Sequence, residues 1–232
     1  MKTVLFLDFD GVLYDTLKEA YVLCRHVCRG VDFFAPIEPD IYSKFYRYKF
    51  LVFNSWQYMY LMKALSEGAG YTDEEFIERY NYLISHRDLD EEEIFETKYT
   101  TARHYLIENY PDYVDSLEEK FPFYDMVESL DRDKFDILVV SRKNSFAIKR
   151  KGVDFKIIGK EELSGVINKS EFIERYMAEN NTSRAFFVDD NSHNLIPCQN
   201  IPNLTCILAG WGNIAIGEKG MTQQKAFEWI NS

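Results

Sequence analysis

The start of the chain constrains the fold more than any other segment. Its four apolar residues Val4 to Leu7 run directly into Asp8-Phe9-Asp10-Gly11-Val12. A short, continuous apolar run is typical of a strand buried on both faces of a parallel sheet. Asp8 and Asp10 are two residues apart, so in extended backbone their side chains point to the same side. Ligands of open α/β sheets bind beyond the carboxyl ends of the strands, so this pair indicates a metal or phosphate site, with an ordinary Asp-Gly turn as the alternative.

Composition and charge argue against several classes of protein. The 232 residues are 46% hydrophobic, which is enough for a full core in one or two domains. With 27 basic and 38 acidic residues the net charge is −11, which argues against nucleic acid as a partner. The chain contains no apolar run long enough for a signal-peptide core or a membrane span, so we expect a cytoplasmic protein with no membrane partner. A monomer and a homodimer are both compatible with this composition.

The segment 16–121 is predicted to be a helical cap domain. Its apolar residues recur at helical spacing, and it contains no convincing buried strand. Two capping-box sequences, Thr16 to Glu19 and Thr72 to Glu75, predict helix starts. We therefore expect the cap to be inserted into an α/β core domain formed by residues 1–15 and 122–232.

The core domain is predicted to be a Rossmann-like, three-layer α/β structure with a central parallel sheet. Short apolar segments alternate with helical patterns after the insert, and such alternation is typical of a parallel sheet covered by helices. The predicted strands after the first are Ile137 to Val140, Phe155 to Ile158, Ala185 to Val188 and Leu204 to Leu208. The predicted helices lie around Tyr124 to Leu130, Ser145 to Lys151, Ser170 to Glu179 and Ser192 to Gln199.

Polar residues follow two more of the predicted strands. Ser141 and Arg142 come after the second strand, where a hydroxyl and free backbone N–H groups suit a phosphate oxygen, although ordinary helix capping is an alternative. Asp189 and Asp190 follow the strand 185–188. Carboxylates from this pair and from the first pair suit a hard divalent cation such as Mg²⁺. Lys169, in the first turn of the preceding helix, is predicted to add a fixed positive charge, with Lys160 as the second candidate.

In this order along the chain, the segments resemble the four motifs of the haloacid dehalogenase superfamily of phosphatases and phosphotransferases. Asp8-Phe9-Asp10-Gly11-Val12 resembles the first motif, Ser141 the second, Lys169 the third and Asp189-Asp190 the fourth. The helical insert after the first motif resembles the cap of members similar to phosphoglycolate phosphatase and β-phosphoglucomutase. One position departs from the pattern, because many members carry an acid where this chain has Asn194.

The resemblance implies a magnesium-dependent phosphatase that acts on a small phosphorylated metabolite. It implies that Asp8 attacks phosphorus to form an aspartyl-phosphate and that Asp10 is the general acid and base, with Lys169 as a third catalytic residue. The implied phosphate-binding residues are Gly11, Ser141, Arg142 and Lys169, and the implied metal ligands are Asp8, Asp10, Asp190 and Asp189.

Two alternatives use the same motifs. A phosphomutase would pass the phosphoryl group between positions of its substrate, and a non-catalytic relative would only bind phosphorylated ligands. Substrate contacts are predicted at Tyr14, close to the first motif, and among basic residues of the cap. These basic candidates are Arg47 and Lys49, followed by Arg25, Arg87 and Lys98.

Overall fold

The structure is a computed structural model that describes residues 2–67, 70–163 and 168–232. The chain divides into two compact units. The first comprises Met1–Asp15 and Glu119–Ser232, and the second comprises Thr16–Glu118.

The first unit is built around a parallel sheet of five strands. The strands of the chain, in sequence order, are β1 Thr3–Leu7, β2 Tyr14–Asp15, β3 Glu119–Lys120, β4 Phe135–Val140, β5 Lys156–Ile158, β6 Ala185–Asp189 and β7 Leu204–Leu208. The order across the main sheet is β5-β4-β1-β6-β7, and every pair is parallel. Strand β1 is therefore central, which confirms the predicted α/β class with a central parallel sheet.

Strand β1 contributes to the cores on both faces of the sheet. Leu5 and Leu7 belong to one hydrophobic cluster, whereas Val4 and Phe6 belong to the other. This division follows from the alternation of side chains along a strand. Burial of each large side chain stabilises the fold by roughly 1.5–3 kcal/mol. The continuous apolar run before Asp8 thus reflects packing between two layers of helices.

The helices of the first unit cover the sheet and lead into or out of its strands. They are α7 Pro122–Glu128, α8 Ser145–Lys149, α9 Lys169–Glu179, α10 Ser192–Leu195 and α11 Gln223–Ile230.

The predicted helix from Ser192 to Gln199 is wrong in its second half, which is a 3₁₀ turn over Ile196–Cys198. Pro197 is the physical reason, since it has no N–H to continue the α-helical pattern. The two-residue strands β2 and β3, which pair antiparallel, carry no apolar pattern and were not predicted.

The second unit is helical, with α1 Leu17–Arg29, α2 Pro39–Tyr48, α3 Gln57–Glu67, α4 Asp73–Ser85, α5 Leu89–Asn109 and α6 Pro111–Ser116. The capping box at Thr72 is confirmed, because Thr72 and Glu75 each accept a hydrogen bond from the other's backbone N–H. None of the helices within the described ranges combines the length and apolarity that crossing a membrane requires.

The helix start predicted at Thr16 is confirmed, because α1 begins at Leu17, but the predicted capping box does not form. The Thr16 side chain makes no capping hydrogen bond. Glu19, its expected partner, is 1% exposed and accepts a hydrogen bond of 2.8 Å from Nε of Arg103 on α5. A buried carboxylate needs a charged, hydrogen-bonded partner, and this requirement outweighs local capping.

Candidate active site

Polar residues gather at the carboxyl edge of the main sheet. Asp8 follows β1, Ser141 follows β4, and Asp189 and Asp190 lie at the end of β6. The Asp8 N–H donates to the carbonyl oxygen of Val188 at 2.9 Å, which ties the end of β1 to β6. The parallel register therefore brings side chains that are far apart in sequence to one edge.

Three buried carboxylates form the centre of this group. Asp8, Asp189 and Asp190 each offer one oxygen atom, and these atoms lie within 4.8 Å of one another. Lys169 Nζ lies 2.7 Å from Asp8 Oδ2 and 2.8 Å from Asp189 Oδ2. The Lys169 side chain is 2% exposed, so its charge is held among the carboxylates rather than in solvent.

Charge at this cluster is unbalanced without a cation. Burial raises the pKa of Asp8 to about 6, with Lys169 opposing the shift and Asp189 adding to it. Burial also raises the pKa of Asp189. For Lys169, burial alone would lower the pKa, but Asp189 and Asp8 together raise it above its ordinary value, so the ammonium group stays charged. Three carboxylates and one ammonium leave two negative charges, which a divalent cation with a preference for oxygen ligands would neutralise.

Asparagine side chains hold the two carboxylates at the end of β6. Asn194 Nδ2 donates to both carboxylate oxygens of Asp189 at 3.1 Å. Asp190 Oδ2 accepts from the backbone N–H of Asn213 at 2.8 Å and from its Nδ2 at 3.4 Å. Asn194, which stands where many members of the resembled family carry an acid, thus orients Asp189 by donating hydrogen bonds to it. Asn213 was missed, because nothing in the sequence of the loop after β7 indicates that the loop returns to the edge of the sheet.

Glycines allow two loops to approach Asp190 closely. Gly11 has a φ of +79°, and a Cβ there would lie 1.9 Å from Asp190 Oδ2. A Cβ at Gly212 would lie 2.3 Å from the carbonyl oxygen of Gly11 and 2.4 Å from Asp190 Cβ. These distances leave no room for a side chain at Gly11 or at Gly212. The loops after β1 and β7 therefore pack directly against Asp190.

We expect Gly11→Ala to destabilise the protein by about 3 kcal/mol, since the left-handed backbone costs about 1–2 kcal/mol and the contact with Asp190 about 1–3 kcal/mol more. Asp190 cannot move away without losing its hydrogen bonds to Asn213. Gly152→Ala is the matched control, because Gly152 has a φ of +65° but no atom within 4 Å of the added Cβ. Urea denaturation measures both variants, and an equal loss of stability in the two would contradict the close contact at Gly11.

Two further residues of the β4 edge make contacts that bear on the site. Lys143 Nζ lies 3.1 Å from Asp10 Oδ1, and the Lys143 side chain is 2% exposed. Ser141 is buried, and its Oγ accepts a hydrogen bond of 3.3 Å from the backbone N–H of Lys143. Arg142 is exposed. Lys143 was missed, although its position two residues after Ser141 in the same loop was a usable signal.

The other predicted substrate-binding residues make contacts within their own units. Tyr14 is 8% exposed, and its ring stacks on Phe9 with centroids 5.0 Å apart. Arg47 donates to Asp73 through Nε at 2.8 Å, and Lys49 donates to the carbonyl oxygen of Val52 at 3.4 Å.

The other basic candidates of the helical unit differ in exposure. Arg25 is fully buried and donates to the carbonyl oxygen of Pro36 at 2.6 Å. Arg87 pairs with Glu92 at 2.6 Å, and Lys98 is exposed.

Comparison with solved structures identifies the fold. A predicted phosphoglycolate phosphatase from Lactobacillus delbrueckii is 16% identical, with a TM-score of 0.63 over 99% of this chain and 98% of that chain. A predicted phosphatase from Clostridium acetobutylicum is 18% identical, with a TM-score of 0.62 over 100% and 99%. A haloacid dehalogenase superfamily hydrolase of subfamily IA from Geobacter sulfurreducens is 11% identical, with a TM-score of 0.55 over 99% and 96%.

Sequence comparison found no matching family profile and no matching curated relative. Similarity at such low identity establishes a shared architecture, and function has to be argued from the site. The likeness nevertheless spans nearly the whole length of both chains. The chain therefore has the fold of the haloacid dehalogenase superfamily, as the order of its motifs predicts.

Proposed function

We propose that this protein is a magnesium-dependent phosphatase that hydrolyses a small phosphorylated metabolite through an aspartyl-phosphate on Asp8. The observation that carries the proposal is the contact between the Asp8 carboxylate and the Lys169 ammonium group, 2.7 Å apart, inside a buried group of three carboxylates. A structural ion pair alone has no need of two further buried carboxylates. Perturbed, mutually close ionisable groups at the carboxyl edge of an α/β sheet are typical of active sites.

The reaction is divided into two displacements at phosphorus. In the first, a carboxylate oxygen of Asp8 attacks the phosphoryl group, the bond to the leaving oxygen breaks, and Asp10 gives a proton to that oxygen. In the second, water attacks the aspartyl-phosphate while Asp10 takes the water's proton. The bond to Asp8 breaks, its electron pair returns to the carboxylate, and inorganic phosphate is released.

Positive charge and hydrogen-bond donors stabilise the transferring group, which is most of what phosphoryl transfer requires. Lys169 lies close enough to Asp8 to meet the phosphoryl oxygens. Ser141 offers its hydroxyl, and the backbone N–H of Arg142 is a further proposed donor. The N–H of Gly11, the other candidate, donates to the carbonyl oxygen of Tyr14 at 2.8 Å and would have to exchange this bond for one to phosphate.

Magnesium would be held by Asp8, Asp190 and the backbone carbonyl of Asp10, with Asp189 as a further ligand. When bound, the ion supplies positive charge to the phosphoryl oxygens and balances the excess of carboxylates. The buried donor set of three carboxylates supports this assignment. The cytoplasmic location and the choice between monomer and homodimer stay predictions.

The substrate class is tested with purified protein, Mg²⁺ and a panel of sugar phosphates, nucleotides, phosphoglycolate and an aryl phosphate. We expect release of inorganic phosphate from several members of the panel. Dependence on a bisphosphate activator without net phosphate release would instead identify a phosphomutase. Binding of phosphorylated compounds without any turnover would identify a non-catalytic relative.

Removal of the metal should abolish the activity. We expect EDTA to stop phosphate release and added Mg²⁺ to restore it.

Asp190→Asn should raise the Mg²⁺ concentration for half-maximal activity by at least about 10-fold, because loss of even outer support for a metal costs about 10- to 100-fold in affinity. Asp136→Asn is the control, since Asp136 lies on β4 and accepts a hydrogen bond of 2.6 Å from Tyr176. Activity that survives EDTA would contradict the metal requirement.

A further inference from the structure

A second buried lysine contacts the proposed general acid and base. Lys143 Nζ lies 3.1 Å from Asp10 Oδ1 and 5.6 Å from the centroid of the Phe9 ring. The Lys143 side chain is 2% exposed, whereas that of Asp10 is 36% exposed. The ammonium group is thus fixed inside the protein, while the carboxylate that it holds remains open to solvent.

The backbone at Lys143 is held from two sides. Its N–H donates to Ser141 Oγ at 3.3 Å, and its carbonyl oxygen accepts from the N–H of Lys160 at 3.0 Å. A Cβ at Gly159 would lie 3.0 Å from the same carbonyl oxygen, so the loop beyond β5 also packs tightly here. Burial of an ammonium group is costly unless it is paired and hydrogen-bonded. This costly arrangement points to a requirement at the site rather than to stability alone.

The two buried lysines serve different carboxylates. Lys169 contacts Asp8 and Asp189, whereas Lys143 contacts Asp10. We propose that Lys143 is the positioning residue for Asp10, which fixes the carboxyl group where it can exchange a proton with the leaving oxygen and with water. This inference rests on the proposed phosphatase function and assigns a role that none of the four sequence motifs supplies.

The proposal has a specific chemical consequence. When the bond between phosphorus and the leaving oxygen breaks, the electron pair goes to that oxygen, and a proton from Asp10 neutralises it. An alkoxide is strongly basic, so its departure depends on this proton. The phenolate of a highly acidic phenol is weakly basic and leaves without it. Loss of Lys143 should therefore harm substrates with poor leaving groups far more than substrates with good ones.

The experiment compares kcat/KM for an alkyl phosphate, phenyl phosphate, 4-nitrophenyl phosphate and 2,4-dinitrophenyl phosphate. We expect Lys143→Met to lose about 10²-fold on the alkyl phosphate, the lower range for general acid catalysis, and only a few-fold on the dinitrophenyl ester. Lys143→Arg, which keeps the charge, should recover part of the loss. Lys149→Met removes an exposed lysine from α8 and should leave all four rates unchanged.

A double-mutant cycle covers the case in which Lys143→Met does not fold well. In Asp10→Asn there is no carboxyl group to position, so adding Lys143→Met should change kcat/KM by less than about 2-fold if the lysine acts through Asp10. The double variant also removes both partners of the ion pair together, which leaves no Asp10 carboxylate without its lysine. A further large loss of kcat/KM when Lys143→Met is added to Asp10→Asn would overturn the proposal.

The outcomes separate this inference from the proposed function. Wild-type protein that hydrolyses none of the four esters or the metabolite panel would refute the phosphatase function itself. Active wild-type protein, combined with a Lys143→Met variant that loses the same factor on every leaving group, would refute the positioning role alone. A steeper dependence on the leaving group in Lys143→Met, absent in Lys149→Met, is the result that supports it.

Discussion

Asp8→Asn should reduce phosphatase activity by about 10⁴-fold or more, the scale of loss when an enzyme nucleophile is removed. An amide oxygen cannot form the aspartyl-phosphate. The fold should persist, because Lys169 keeps its contact of 2.8 Å with Asp189, and an asparagine oxygen can still accept the hydrogen bond of 2.7 Å from the Phe9 N–H. Phosphate release, together with circular dichroism, checks both expectations.

A direct measurement of the intermediate complements the rate. Acid quenching of wild-type protein during turnover, followed by mass spectrometry, should find a phosphoryl group on the peptide that contains Asp8 and none in Asp8→Asn. Asp136→Asn, which removes a carboxylate from the opposite end of β4, should behave as wild type. Substantial activity in Asp8→Asn would eliminate Asp8 as the nucleophile.

Lys169→Met should affect both activity and stability. We expect at least about 10²- to 10³-fold lower kcat, because a fixed donor to the transferring group is lost. We also expect the free energy of unfolding to fall by about 3–5 kcal/mol, the usual cost of removing one partner from a buried ion pair. Asp8 and Asp189, both less than one-tenth exposed, would then lie in the interior without the ammonium group.

The stability loss in Lys169→Met should depend on pH. Lys169 lowers the pKa of Asp8, which burial otherwise raises and which stands at about 6 with the lysine present. Without the lysine, the pKa of Asp8 in the folded state rises further above its value in the unfolded state. The folded variant then loses stability as pH rises from the unfolded pKa to this raised folded pKa, and it loses more than the wild type does. Urea denaturation in metal-free buffer should therefore give a larger deficit near pH 8 than near about pH 5. A deficit that is the same at both pH values would mean that these carboxylates do not carry the loss.

Local patterns were sufficient to predict the sheet and the strand ends that border the site. The apolar runs before Asp8 and Asp189 can be recognised from adjacent residues alone, and each predicts a buried strand. Parallel strands have their carboxyl ends at the same edge of a sheet, so the position of both aspartates at that edge follows. The meeting of Asp8, Lys169, Asp189 and Asp190 follows from that geometry.

The contacts that were missed depend on residues distant in sequence. Lys143 reaches Asp10 across 133 positions, and Glu19 finds Arg103 across 84. Asn213 lies in a loop whose path depends on the close packing of Gly212 against Gly11. No periodicity encodes such pairings, because each is decided by where a long side chain or a tight loop lies after the layers have packed.

The division of β1 between two hydrophobic clusters has a consequence for evolution. The four residues that carry Asp8 to its position are each part of one core or the other, Leu5 and Leu7 on one side and Val4 and Phe6 on the other. A mutation that loosens either layer therefore shifts the backbone on which the proposed nucleophile is mounted. Selection for catalysis and selection against unfolding act on the same short segment, so drift in this strand should be slower than in any surface helix.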